Sequence, residues 1–182
     1  MKYLWLIAAL AILPVTARAE IVKTAVPDCK TGKLCLHWWP KLAVPAGWRF
    51  NPDASLEENA YFVIPEKATD MRVFMYANAV DAKGQADTLK GFVDDDIAAF
   101  HKKTPDLTIT EQPALTTADG QSLRVFRFDP TTNGRWEMTA YGEETDKDGN
   151  RYYLVFVLSG KTPALRDQNL GVFQATIAAY RK

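Results

Sequence analysis

The chain has 182 residues, 47% of them hydrophobic, with 22 basic against 22 acidic side chains and no formal net charge. This balance excludes an intrinsically disordered chain, and the lack of a basic excess argues against nucleic-acid binding. Beyond the first residues there is no apolar run of the ~20 residues that a membrane-spanning helix needs, and the length suits one domain.

Met1–Ala19 begins with Lys2, continues through the unbroken apolar stretch Leu4–Leu13 and Pro14, and ends in Ala17-Arg18-Ala19. These are the parts of a secretory signal peptide, with cleavage expected before Glu20 and a single domain over 20–182. The apolar stretch is too short to cross a ~30 Å hydrocarbon core. The leader carries Lys2, Arg18 and no acid, so the mature chain has 20 basic against 22 acidic side chains, a net charge of −2. The expected location is periplasmic or secreted, with no transmembrane span after cleavage. Cys29 and Cys35 are the only cysteines, and in an exported chain they are expected to form a structural disulfide. A redox pair would favour C-x-x-C spacing, and a zinc site would need two more ligands where only His37 is near.

Leu34–Trp38 alternates like a short strand. Pro40, Pro45 and Gly47 interrupt the chain before Trp48 and Phe50 resume it. Asp53–Asn59 is polar and reads as a turn. Ala60–Ile64 and Met71–Val80, rich in β-branched and aromatic residues, read as strands. Asp87–Lys103 reads as an amphipathic helix with Asp87 or Thr88 as N-cap, since Leu89, Phe92, Val93, Ile97 and Phe100 form one apolar stripe. Lys102 and Lys103 complement the dipole at its end. Asp119-Gly120, Asn133-Gly134 and Asp148-Gly149 are hairpin signals of the type I′ kind. With Leu107–Glu111, Leu123–Phe128, Arg135–Gly142 and Arg151–Leu158 they predict a four-strand antiparallel meander. Tyr152–Leu158 is nearly continuous apolar, as befits a central strand covered on both faces. The last segment, Pro163–Lys182, ends in a helix with Leu170, Phe173, Ile177 and Tyr180 on one face. The fold class is therefore α+β, an antiparallel meander between two main helices in an α/β/α sandwich.

Motif chemistry is sparse. Gly160-Lys161-Thr162 imitates the end of a phosphate-binding loop, but Val155 stands where its first glycine belongs. Lys30-Thr31-Gly32 has no S-x-x-K partner, because Ser55, Ser122 and Ser159 are followed three residues on by Glu58, Val125 and Thr162. The acidic run from Glu143-Glu144 to Asp146-Lys147-Asp148-Gly149-Asn150 lacks the order of a calcium loop and reads as a solvated hairpin turn. Asp94-Asp95-Asp96 fans over about 200° of helix and reads as a solvated face. His101 sits near a helix end in a capping position, and His37, beside Trp38, reads as structural. No cofactor or metal is expected.

Trp38 and Trp39 cannot both lie on one face of a strand, so one is expected to stand exposed or pack beneath the cysteine loop. Exposed tryptophan is a common interface anchor, which makes His37, Trp38, Trp39 and Trp48 the candidate binding surface.

The layout resembles the PsbP-like fold family, extrinsic photosystem subunits and their secreted bacterial relatives. The resemblance spans Leu34–Lys182. It is carried by Val44-Pro45-Ala46-Gly47-Trp48, a strand pair, the helix Thr88–Phe100, the meander, and the closing Val157–Arg181. It implies an antiparallel sheet sandwiched by helices and used for binding or assembly, with no catalytic residue to transfer. The cysteine loop and the segment His37–Leu42 depart from that pattern. The function expected is thus a non-enzymatic binding or assembly module of the cell envelope with a protein partner, an immunity or inhibitor protein against a toxin or hydrolase being one form of it. The alternative is an envelope hydrolase, such as a glycan hydrolase with a cleft on Glu143 and Glu144, which needs two carboxylates facing each other at roughly 5–9.5 Å.

Overall fold

In the computed structural model, residues 21–29, 33–131 and 134–182 are described, of which 26–29 and 33–35 contribute backbone only. The signal peptide expected over Met1–Ala19 lies outside the described residues, as do the side chains of Cys29 and Cys35. On the backbone, Cys35 stands opposite Val26 and Cys29 opposite Lys33.

The first two strands, β1 (Ile21–Cys29) and β2 (Lys33–Pro40), pair antiparallel as a separate two-stranded sheet. The strand expected over Leu34–Trp38 is thus present and longer, while its partner β1 gave no signal in sequence. There follow β3 (Trp48–Phe50), α1 (Pro52–Glu58), β4 (Tyr61–Pro65), β5 (Val73–Asp81) and α2 (Leu89–Lys103). The chain then forms β6 (Thr108–Thr116), β7 (Ser122–Asp129), β8 (Trp136–Thr145), β9 (Arg151–Gly160) and α3 (Pro163–Ala179). The main sheet has seven strands in the order β3-β4-β5-β9-β8-β7-β6, with every pair antiparallel.

β6–β9 form the expected meander. β9 holds the centre between β5 and β8, and Tyr152–Leu158 is buried but for the half-buried Val155. Its position follows from composition, because only a strand apolar on both faces gains by burying both. Two of its hairpin turns differ from the expected type. Gly120 and Gly149 have φ of +85° and +83°, but Asp119 and Asp148 are not at positive φ. The Gly120 N–H reaches Thr117 O at 3.0 Å, and the Thr117 N–H reaches Gln121 O at 2.9 Å. Asp146–Asn150 repeats both bonds. Each is a type I turn closed by a left-handed glycine, for which Asp-Gly is equally apt. The third signal, Asn133-Gly134, lies partly outside the described residues.

The polar stretch read as a turn is the helix α1. Asn51 Oδ1 accepts from the Ala54 N–H at 3.3 Å, Pro52 opens the first turn, and Asn59 closes it at φ +50°. Only Ser55 of α1 is buried, so the helix has no apolar stripe to betray it. The Ser55 hydroxyl donates to Asn51 O at 2.7 Å and accepts from the Phe62 N–H at 2.9 Å, which seats α1 on β4.

The two faces of the sheet are covered unequally. One carries the larger core. Phe173, Ile177 and Tyr180 from the α3 end pack there on Met75, Ala77, Leu154, Phe156 and Leu158, joined by Ile21, Trp39 and Leu42 from the β1–β2 side. Burying each large side chain of this layer stabilises the fold by roughly 1.5–3 kcal/mol. On the opposite face α2 sets Phe92 and Val93 against Phe126, Phe128, Tyr141 and Tyr153. This second cluster does not reach Phe62, Phe74 and Tyr76 on the β4–β5 side of its face, where α1 flanks a groove.

Candidate functional site

Strand alternation builds the site on that β4–β5 side. Along β5, Val73, Met75, Ala77 and Ala79 point into the larger core, so Phe74, Tyr76 and Asn78 point the other way. Phe62 of β4 stands opposite Tyr76. Ser159 of β9 stands opposite both Phe74 and Glu137 of β8. Ala54, Glu57 and Glu58 of α1 supply a wall, and Met71 closes one end. The resulting groove has a volume of about 540 Å³, in the range of small-molecule sites.

Its floor is aromatic and ordered. Phe62 and Tyr76 stack at 5.1 Å between ring centroids, with planes 16° apart, and Phe74 lies 5.3 Å from Phe62. The Arg135 guanidinium sits 4.3 Å over the Phe74 ring, a cation–π contact. Arg135 Nη2 donates to Met71 O at 2.7 Å, and Nε donates to Ser159 Oγ at 2.7 Å. Ser159 in turn donates to Glu137 Oε1 at 2.7 Å. Ser159 is fully buried, so its hydroxyl links Arg135 to Glu137 and is out of reach as a nucleophile.

Burial pushes the Glu137 carboxyl above the usual carboxylate range, against the opposing pull of Ser159 and Arg135. Burial, with the negative charges of Glu137, Asp96 and Glu58, pushes the Tyr76 phenol up. Asp96 of α2 accepts from the Tyr141 hydroxyl at 2.7 Å and is also raised by burial. Of the Asp94–Asp96 run read as solvated, Asp94 pairs with Lys90 at the surface, Asp95 is exposed, and Asp96 is half-buried. Asn78 Oδ1 is buried without a hydrogen-bond partner among the described residues.

The residues singled out in sequence fall elsewhere. Trp39 is 5% exposed and belongs to the larger core, on which Trp38 and Trp48 pack half-buried. His37 Nδ1 lies 2.8 Å from Asn59 Oδ1, and its ring is 5.6 Å from that of Trp39. Trp38, Trp39 and Trp48 therefore join β2 and β3 to the core, and Trp39 offers a partner no surface. Glu143 is exposed, whereas Glu144 is buried on the α3 side and accepts from the Tyr180 hydroxyl at 2.7 Å. Neighbours on one strand face opposite sides, so this pair cannot flank a substrate. Asp146 accepts from the Asp148 and Asn150 amides and pairs with Lys23 at 2.7 Å, which holds its carboxyl well below the usual range. It closes the hairpin turn. His101 is exposed in the last turn of α2. No group of three or more His, Cys, Asp or Glu side chains placed to hold a metal occurs among the described residues.

Phe62, Phe74, Tyr76, Asn78 and Glu137 were not singled out in sequence. The available signal was the alternation in β5, which places two aromatics and an amide on the face away from its small aliphatic residues.

No family model and no curated protein matches the chain, and neither comparison supports the expected resemblance to PsbP-like proteins. Among solved structures the fold is similar to that of LpqN, a protein involved in cell envelope biogenesis of Mycobacterium tuberculosis. The match has a TM-score of 0.55 at 16% identity and covers 87% of this chain and 88% of that one. At such identity the likeness is one of fold. No helix among the described residues is long and apolar enough to cross a membrane.

Proposed function

We propose that this chain is an exported, non-enzymatic binding module of the cell envelope whose ligand seats in the groove on β4, β5 and β8. The observation that carries the reading is a groove beside α2 with an aromatic floor, where Phe74 and Tyr76 are half-buried over buried Phe62 and the carboxylate of Glu137 is kept in the wall. A face that served only the fold would be closed by a helix or carry solvated side chains. Instead it holds stacked rings and an unpartnered amide oxygen, the mixed apolar and polar lining of a ligand site. The signal-like leader and the fold shared with an envelope-biogenesis protein support the location. The alternative of an envelope hydrolase loses its proposed pair with Glu143 and Glu144 on opposite faces.

A fragment screen followed by amide chemical-shift mapping tests the reading. Hits should move the amides of Phe74, Tyr76 and Asn78, and Tyr76→Ala should abolish those shifts while the far-ultraviolet circular dichroism is retained. Hits confined to other surfaces would overturn the assignment.

A further inference from the structure

We infer that the groove takes a small organic cation, an ammonium or amidinium group bearing N–H donors on an apolar body. This rests on the groove being the binding site. Three features of the lining converge on that chemistry. Its charged side chains are Glu57, Glu58 and Glu137, with no basic residue among them. An anionic occupant would face repulsion from all three carboxylates, and a neutral one would gain no charge attraction from them.

The hydrogen-bonding groups are arranged to accept. Asn78 lines the groove, and its Oδ1 is buried without a hydrogen-bond partner among the described residues. Ser159 donates to Glu137 Oε1, leaving Oε2 for an occupant. Arg135, the cation beside the groove, spends its Nε on Ser159 Oγ and its Nη2 on Met71 O, and its guanidinium is held over the Phe74 ring.

The aromatic floor already holds a cation of this kind. The Arg135 guanidinium lies 4.3 Å above Phe74, and the half-buried Tyr76 ring, backed by buried Phe62, offers further π-surface to an occupant. Aromatic walls beside a carboxylate are the usual setting for binding an organic cation. The Oε2 of Glu137, an acceptor Ser159 does not use, favours a cation with N–H bonds over a quaternary one.

The test uses three probes with one body, 2-phenylethylammonium, 2-phenylethanol and 3-phenylpropionate, titrated into the exported chain by calorimetry and amide-shift mapping. The ammonium probe should bind at least about tenfold more tightly than the alcohol, and the carboxylate probe should bind least. Glu137→Gln, which keeps the acceptor for Ser159, should bring ammonium and alcohol to within about twofold. Should that variant not fold, Glu58→Gln on exposed α1 should narrow the same preference. Groove shifts as strong with the alcohol or the carboxylate would overturn the cation inference and leave the groove as the site. Groove amides unmoved by all three probes would overturn the groove itself.

Discussion

Gly160 and Gly171 lie eleven positions apart, and the same change to alanine should act with opposite sign at the two. Gly160 ends β9 beneath the first turn of α3. A Cβ there would lie 2.7 Å from Arg166 N, 3.0 Å from Thr162 O and 3.2 Å from Arg166 Cα. All three atoms are backbone, and Thr162 O already accepts the first helical bond from Arg166 N. Arg166 is fully buried and held by Asp129 and Asp167 at 2.5 and 2.8 Å, so the turn cannot swing aside. Relief requires α3 to shift by several tenths of an ångström, which strains the packing of Phe173 and Ile177. Overpacking of this kind costs about 1–3 kcal/mol. Gly171 is exposed in the middle of α3, with nothing within 4 Å of a new Cβ. Alanine there removes the entropic cost of a helical glycine and should stabilise by about 0.8–1 kcal/mol. Equilibrium unfolding in urea measures both, and the two variants should differ by about 2–4 kcal/mol with unchanged m-values. In a thermal scan each kcal/mol should appear as roughly 2–4 °C. A Gly160→Ala protein within about 0.5 kcal/mol of the parent would refute the close approach of α3 to β9.

Glu137, raised by burial, destabilises the fold when ionised. That cost is full above its folded pKa, shrinks as pH falls below it, and is gone below the unfolded value. Glu137→Gln should therefore be more stable than the parent near pH 8, with the gap closing toward pH 4 in denaturant titrations; a gap independent of pH would contradict the burial of this carboxylate. Tyr180→Phe removes the hydroxyl that donates to buried Glu144 at 2.7 Å while keeping the edge-on contact with Phe156 at 5.1 Å between centroids. It should cost about 1–3 kcal/mol at neutral pH, and less in acid where Glu144 is protonated. Thiol titration of the purified, non-reduced protein should find no free thiol if Cys29 and Cys35 pair, and two would exclude the bond.

The fold was legible where one element carries its own periodicity. The stripe of α2, the apolar run of β9 and the Asp-Gly turns are local patterns, and each survives in the structure because burial and turn geometry act on neighbouring residues. The helix α1 escaped because its caps, Asn51 and Asn59, hold it without an apolar stripe. The strand β1 escaped because its pairing partner decides it more than its own composition. The candidate surface of His37, Trp38, Trp39 and Trp48 was read from residue type, and burial of Trp39 beneath the sheet follows from contacts with Leu42 and the larger core that no local pattern encodes.

By itself, the amino-acid order determined an α+β chain with a meander ending in an apolar central strand, and helices to cover it. Only the tertiary structure decided that α2 covers part of its face, because that depends on where the crossover from β5 to β6 lays the helix. The groove exists for the same reason. Phe62, Phe74, Tyr76, Asn78 and Glu137 come from three strands spread over 76 positions, and antiparallel register alone sets their side chains side by side.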